Sequence, residues 1–190
     1  MDVVIFHSMY GLRPVELAAA SRIRALGHRV VVPDLFDGET VPGDVEAGSR
    51  LMSSVGWPTI VGRAADALTQ VSDEAVLIGF SMGVGVIGQL WPHRTAAAAV
   101  ACLHAPTLVP QGLRRGMPVQ LHVGIGDRFA PAEQVMEFLR SAEEAGATPL
   151  IGEYPRAGHM FMDDSLEDYD AAAAAATWQA LVGMLDTAEQ

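Results

Sequence analysis

Val76-Leu77-Ile78-Gly79-Phe80-Ser81-Met82-Gly83 is a short apolar strand pattern that runs into G-x-S-x-G and then into a helical pattern. The arrangement has a chemical reason. A nucleophilic serine must project from a sharp strand-to-helix turn, with its Oγ exposed above a sheet. Glycines two positions to either side remove side chains that would collide where strand and helix approach. The helix N-terminus then sets backbone N–H groups and a positive dipole end beside a developing oxyanion. The blander alternative is a Ser/Gly-rich turn that only caps a helix.

The same stretch contains a second pattern. Gly83-Val84-Gly85-Val86-Ile87-Gly88 fits G-x-G-x-x-G literally. A dinucleotide site wants an acidic residue roughly 20 positions further on. No Asp or Glu occurs between Ala75 and Gly126. The glycines also begin inside the helix instead of forming the turn. They read as a helix face lying close against a sheet, and no cofactor is implied.

Outward from this centre, short apolar runs alternate with helical patterns. The expected strands are Val3–Phe6, Arg29–Pro33, Ala75–Gly79, Ala98–Cys102, Val119–Gly124 and Pro149–Tyr154. Most are continuously hydrophobic, which implies burial on both faces, as in a parallel sheet covered by helices. The expected helices are Pro14–Leu26, Pro58–Val71, Met82–Leu90, Ala132–Ala145 and about Leu166–Leu185. The first has Pro at its first helical position and Gly27 as its stop. For the last, Ser165 followed by Asp168 resembles a capping box. The alanine run Ala171–Ala176 reads as helix interior. The Gly/Pro-rich stretch Asp37–Gly48 reads as a surface loop. This alternation predicts one doubly wound α/β domain over residues 1–190.

With 190 residues, the chain suits a single core, since cores typically stop growing at ~250 residues. Half of the residues are hydrophobic and 18% are charged, which argues against disorder. A net charge of −11 argues against nucleic-acid partners and against a polybasic membrane anchor. One cysteine, Cys102, leaves no intrachain disulfide, and no metal-ligand spacing is visible. Without a signal-peptide pattern or a run of ~20 apolar residues, a cytoplasmic protein that does not enter the membrane is expected.

A serine nucleophile needs a base and an orienting acid, which in this kind of fold follow in the order Ser, acid, His. Val119–Gly124 leads into Asp127, and Pro149–Tyr154 leads through Pro155-Arg156-Ala157-Gly158 to His159. Both lie just beyond the carboxyl ends of strands, where such sheets present functional groups. Ser81 would attack, His159 would carry the proton, and Asp127 would hold the imidazole tautomer.

At these residues the sequence resembles the dienelactone hydrolase family of α/β-hydrolases. The matching pieces are His7-Ser8-Met9-Tyr10-Gly11-Leu12, Val31-Val32-Pro33-Asp34-Leu35-Phe36, Gly79–Gly83, Gly126-Asp127 and Ala157-Gly158-His159-Met160-Phe161. The resemblance implies an α/β-hydrolase fold, here a mostly parallel sheet of six or seven strands with helices on both faces. It maps nucleophile, acid and base onto Ser81, Asp127 and His159, and oxyanion donors onto the backbone N–H groups of Met82 and Met9. The family's usual cysteine nucleophile is Ser81 here, and the glutamate that partners that cysteine is Ser8. These two changes agree, because a serine activated by His159 needs no thiolate switch. A substrate-binding arginine of the family aligns with Asp163, which removes a positive charge that an anionic lactone would meet.

His7, Ser8, Tyr10 and Met160 are candidate pocket residues. Met9, Met82, Met160 and Met162 could form a flexible apolar acyl pocket or simply fill the core. The expected function is a serine-dependent hydrolase of small ester or lactone substrates. The alternative is a catalytically silent α/β-hydrolase that binds a small ligand or a partner. The sequence leaves the substrate and the oligomeric state open.

Overall fold

The structure is a computed structural model that describes residues 1–41 and 43–189. Its elements run β1 (Asp2–Phe6), α1 (Pro14–Ala25), β2 (Arg29–Val31), α2 (Val45–Val55), α3 (Trp57–Leu68), β3 (Val76–Phe80) and α4 (Met82–Leu90). After a short 3₁₀ turn at Trp91–His93 come β4 (Val100–Leu103), β5 (Pro118–Gly124), α5 (Ala132–Glu144), β6 (Thr148–Tyr154) and α6 (Ala171–Ala188). The strands form one six-stranded sheet in the order β2-β1-β3-β4-β5-β6. Every pairing is parallel.

The continuous hydrophobicity of the strands follows from two packed faces. In β1, Val4 and Phe6 join one core with Ile60 and Ala64 of α3, Val84 and Ile87 of α4, and Phe138 of α5. Val3 and Ile5 join the other core with Ala20 and Ile23 of α1 and with Leu181 and Met184 of α6. Alternate side chains of one strand thus serve opposite layers, and the buried polar exceptions in β5, Gln120 and His122, are hydrogen-bonded to Ala180 O and to Tyr154. Fully burying each such side chain contributes about 1.5–3 kcal/mol.

Two expectations are corrected. The loop expected over Asp37–Gly48 gives way to α2 from Val45, where Asp44 Oδ1 accepts the Ala47 N–H at 2.6 Å as a side-chain cap. Pro42, within that stretch, lies outside the described residues, as does Gln190. The last helix starts at Ala171 and not near Leu166. Asp170 Oδ1 caps it, accepting from Ala172 and Ala173 at 3.0 and 2.9 Å. Ser165 and Asp168 do not form a capping box. Ser165 bonds Asp163, and Asp168 accepts from the Met160 N–H. Among the described residues no helix is long and apolar enough to cross a membrane.

Candidate active site

Ser81 stands at the carboxyl end of β3, immediately before α4, with φ +49° and ψ −104°. A non-glycine residue held there stores roughly 1–3 kcal/mol of strain, which the surroundings must offset. They do so by fixing both sides of the turn. The Ser81 N–H donates to Leu103 O at 2.8 Å, and the Val84 N–H donates to Ser81 O at 2.9 Å. The turn closes because glycines flank it. A Cβ on Gly79 would lie 2.7 Å from the Gly83 carbonyl carbon and the Val84 nitrogen. A Cβ on Gly83 would lie 2.3 Å from Phe6 O of β1.

Asp127 and His159 follow β5 and β6, and the structure brings both to Ser81. Ser81 Oγ is 2.8 Å from His159 Nε2. His159 Nδ1 is 2.6 Å from Asp127 Oδ2. The second Asp127 oxygen, Oδ1, accepts the Phe129 N–H at 2.9 Å, so the carboxylate cannot rotate away. An acceptor-only carboxylate on Nδ1 requires the Nδ1–H tautomer, which leaves Nε2 free to accept the serine proton. The side chains of His159 and Asp127 are 9% and 2% exposed, so the pair is shielded from water. The Phe129 ring lies 4.4 Å from the imidazole and covers it.

Among the described residues, neither the Met82 N–H nor the Met9 N–H donates to an acceptor within the chain. Met82 begins α4, so its amide is one of the first-turn donors that a helix leaves unpaired. Met9 sits in the turn between β1 and α1.

The four candidate pocket residues lie on loops that fold back onto the sheet end, and all four are buried. His7 is fully buried. Its Nε2 accepts the Leu35 N–H at 2.9 Å, so Nδ1 donates to Ser8 O at 2.7 Å. Burial holds that imidazole below its ordinary range, consistent with a neutral structural tie. Ser8 is also fully buried, and its Oγ accepts the Tyr10 N–H. Tyr10 and Met160 are 3% and 1% exposed. Met9, Met82 and Met162 are likewise buried, so these methionines are core filling. Cys102 is buried, and desolvation pushes its thiol up to about 12. The glycines from Gly83 to Gly88 lie within α4, where Trp57 packs on Gly85 and Thr107 on Gly88. Among the described residues, no three His, Cys, Asp or Glu side chains gather as a metal ion would require.

Three further residues have structural bearing on the site. Asp168 Oδ2 accepts the Met160 N–H at 3.1 Å, directly after His159. His104 directly follows β4, at φ +73°. Its ring lies 6.1 Å from that of His159 and 4.6 Å from Phe161. Burial, then the neighbouring His159 and His122, pushes its imidazole well below the ordinary range. Glu16 of α1 is fully buried, and desolvation raises its carboxyl to about 7. Its position could have been found. Glu16, Ala19, Ala20 and Ile23 form the buried stripe of α1 at helical spacing, with a carboxylate where an apolar residue is due.

A parallel sheet wrapped on both faces, with its polar cluster above the strand ends, defines the class: this is an α/β-hydrolase fold. Solved structures agree. One is a dienelactone hydrolase-like promiscuous phosphotriesterase from metagenomic libraries, with TM-score 0.77 and 21% identity, covering 97% of this chain and 85% of that one. Another is a phospholipase/carboxylesterase from Dyadobacter fermentans, with TM-score 0.65 and 12% identity, covering 95% and 89%. A third belongs to two metagenome-derived lipolytic enzymes, with TM-score 0.70 and 12% identity, covering 97% and 93%. No curated protein matches the chain. The model of the dienelactone hydrolase family matches residues 1–189, and the chain belongs to that family. By family it is a hydrolase.

Proposed function

We propose that the chain is a serine-dependent hydrolase of small carboxylic esters or lactones, acting through an acyl-enzyme on Ser81. The observation that carries this reading is the continuous hydrogen-bonded chain from Ser81 Oγ through His159 to Asp127. Ser81 Oγ attacks the acyl carbon while its proton passes to His159 Nε2. The carbonyl oxygen becomes an oxyanion, and the free N–H groups of Met82 and Met9 are its donors. Asp127 stabilises the imidazolium. His159 then protonates the departing alkoxide, or in a lactone the ring oxygen, which stays attached to the acyl chain. Water repeats the sequence on the acyl-enzyme, giving the acid and free serine.

Labelling by a fluorophosphonate probe at Ser81 and turnover of short p-nitrophenyl esters test the reading. Ser81→Ala should abolish labelling and lower kcat by roughly 10⁴–10⁶. Ester turnover that survives this substitution unchanged would refute it.

A further inference from the structure

α1 begins with a polar arrangement that helix formation alone does not require. Glu16 is the third residue of the helix, and its Oε2 accepts the Arg13 N–H at 3.0 Å. That bond is half of an ordinary capping box. The other oxygen does something else. Glu16 Oε1 reaches back to the Ser8 N–H, eight residues upstream, at 3.2 Å. The carboxylate thus grips both ends of the turn that contains Met9. Ser8 Oγ takes the Tyr10 N–H at 3.3 Å, and Ser8 O takes the Gly11 N–H at 3.2 Å. Within the turn, the Met9 N–H is left without an acceptor among the described residues.

The turn is also fastened from outside. The Arg13 guanidinium lies 2.9 Å from Asp163 Oδ2 and donates to Ser165 Oγ at 2.6 Å. Asp163 is almost fully buried, four residues beyond His159, and its N–H donates to Met160 O at 2.9 Å. Two side chains, Glu16 and Arg13, therefore fix the Ser8–Arg13 turn against α1 and against the segment that follows His159. A buried carboxylate is costly where an alanine or leucine would satisfy the helix.

We propose that Glu16 is a positioning residue that holds the Met9 N–H where the oxyanion forms, with Arg13 and Asp163 tying that turn to the histidine segment. The proposal rests on the reading of Ser81 as nucleophile. It concerns bonding that develops as the carbonyl becomes tetrahedral, so it acts on kcat more than on KM.

The experiment compares the wild type, Ser81→Ala and Glu16→Gln on a p-nitrophenyl ester and on an alkyl boronic acid. The boronic acid forms a tetrahedral adduct on a serine Oγ and places an oxygen where the oxyanion would lie. A glutamine keeps one acceptor and turns an N–H₂ toward the other backbone donor. Expected for Glu16→Gln is a kcat lowered roughly 10- to 100-fold. KM should stay within about twofold, and the boronate inhibition constant should rise in parallel with the loss in kcat. A purely structural role would lower the folded fraction, seen by circular dichroism, and leave the inhibition constant of the surviving enzyme unchanged. That result overturns the proposal, as does an unaltered kcat. If Glu16→Gln fails to fold, Glu16→Asp keeps both acceptors one methylene short and is read the same way. Activity that persists in Ser81→Ala defeats the nucleophile reading itself, whereas a dead Ser81→Ala beside a fully active Glu16→Gln defeats only the positioning role.

Discussion

Replacing Gly83 by alanine tests whether the serine turn depends on the close approach of α4 to β1. The added methyl would lie 2.3 Å from Phe6 O, 2.7 Å from Phe6 C and 2.9 Å from Phe6 Cβ. Ordinary contact starts near 3.4 Å, so a separation of about 1 Å must be regained. The obstacle is backbone in a fully buried strand, which cannot swing aside as a side-chain tip can. The start of α4 therefore has to lift, and Ser81 and the Met82 N–H lift with it. Overpacking of this kind costs about 1–3 kcal/mol. The alanine returns up to about 1 kcal/mol of helix propensity, which with the full return leaves a net loss of roughly 0–2 kcal/mol. A 1 Å displacement of reacting groups lowers kcat by about 100-fold. Gly62 of α3 is the matched control, because a Cβ there meets nothing within 4 Å. Gly62→Ala should gain about 1 kcal/mol and leave kcat unchanged. Urea denaturation and p-nitrophenyl ester kinetics on both variants decide the matter. A Gly83→Ala enzyme within threefold of wild-type kcat, with stability equal to that of Gly62→Ala, would refute the reasoning.

Two further expectations concern the histidine segment and pH. Asp168→Ala removes the acceptor of the Met160 N–H, so kcat should fall about tenfold with KM within about twofold; equal kinetics would show that the segment is held without this bond. Stability should fall on acidification, as a denaturant midpoint at constant ionic strength would show. Burial pushes His122 from 6.5 to about 4, so the unfolded chain takes up this proton first. The stability it contributes, about 3 kcal/mol in full, is present above pH 6.5 and lost as pH falls toward 4. His7 and His104, also lowered by burial, act in the same direction. Glu16, raised from 4.5 to about 7, opposes them with one proton, and its contribution is lost as pH rises through about 7. A midpoint that stays flat or rises between pH 6.5 and 4.5 would contradict this balance.

The sequence carried the sheet and the order of the three polar residues well, for identifiable reasons. Strands such as Val76–Phe80 are buried on both faces, so nearly every position is apolar. The G-x-S-x-G stretch is legible because its glycines are demanded by local backbone contacts. What stayed illegible depends on contacts between distant segments. Asp163-Asp164-Ser165-Leu166-Glu167-Asp168-Tyr169-Asp170 offers several plausible caps. Only the fold reveals that Met160 takes Asp168 and that Arg13 takes Ser165, which leaves Asp170 to start α6. The helix α2 was hidden by Gly48, whose bare backbone accommodates Met9 and Tyr10: a Cβ there would lie 3.0 Å from Tyr10 Cδ1. The exposure of His7, Ser8, Tyr10 and Met160 depends on how two loops fold back, and residue type does not encode that.

The sheet order explains why the histidine segment needs so many ties. Ser81 ends β3, and Asp127 follows β5, two strands away at about 4.8 Å per strand. An imidazole with a hydrogen bond at each nitrogen suits that span. The imidazole, however, comes from beyond β6 at the sheet edge, so residues 155–159 must run back over the end of β5. Gly124 permits the crossing, since a Cβ at that strand end would lie 2.2 Å from Ala157 O. At the end of β4, the intervening strand, His104 turns through a left-handed conformation with its ring packed between Phe161 and Phe80, near that of His159. A segment that overhangs its own sheet has no ladder to hold it. Asp168 on Met160 and Arg13 on Asp163 and Ser165 supply the missing restraint from neighbouring loops. His159 is thus carried by the edge strand β6, whereas Ser81 and Asp127 follow the interior strands β3 and β5. Loosening the overhang should therefore stretch the Ser81–His159 bond before it disturbs the serine turn.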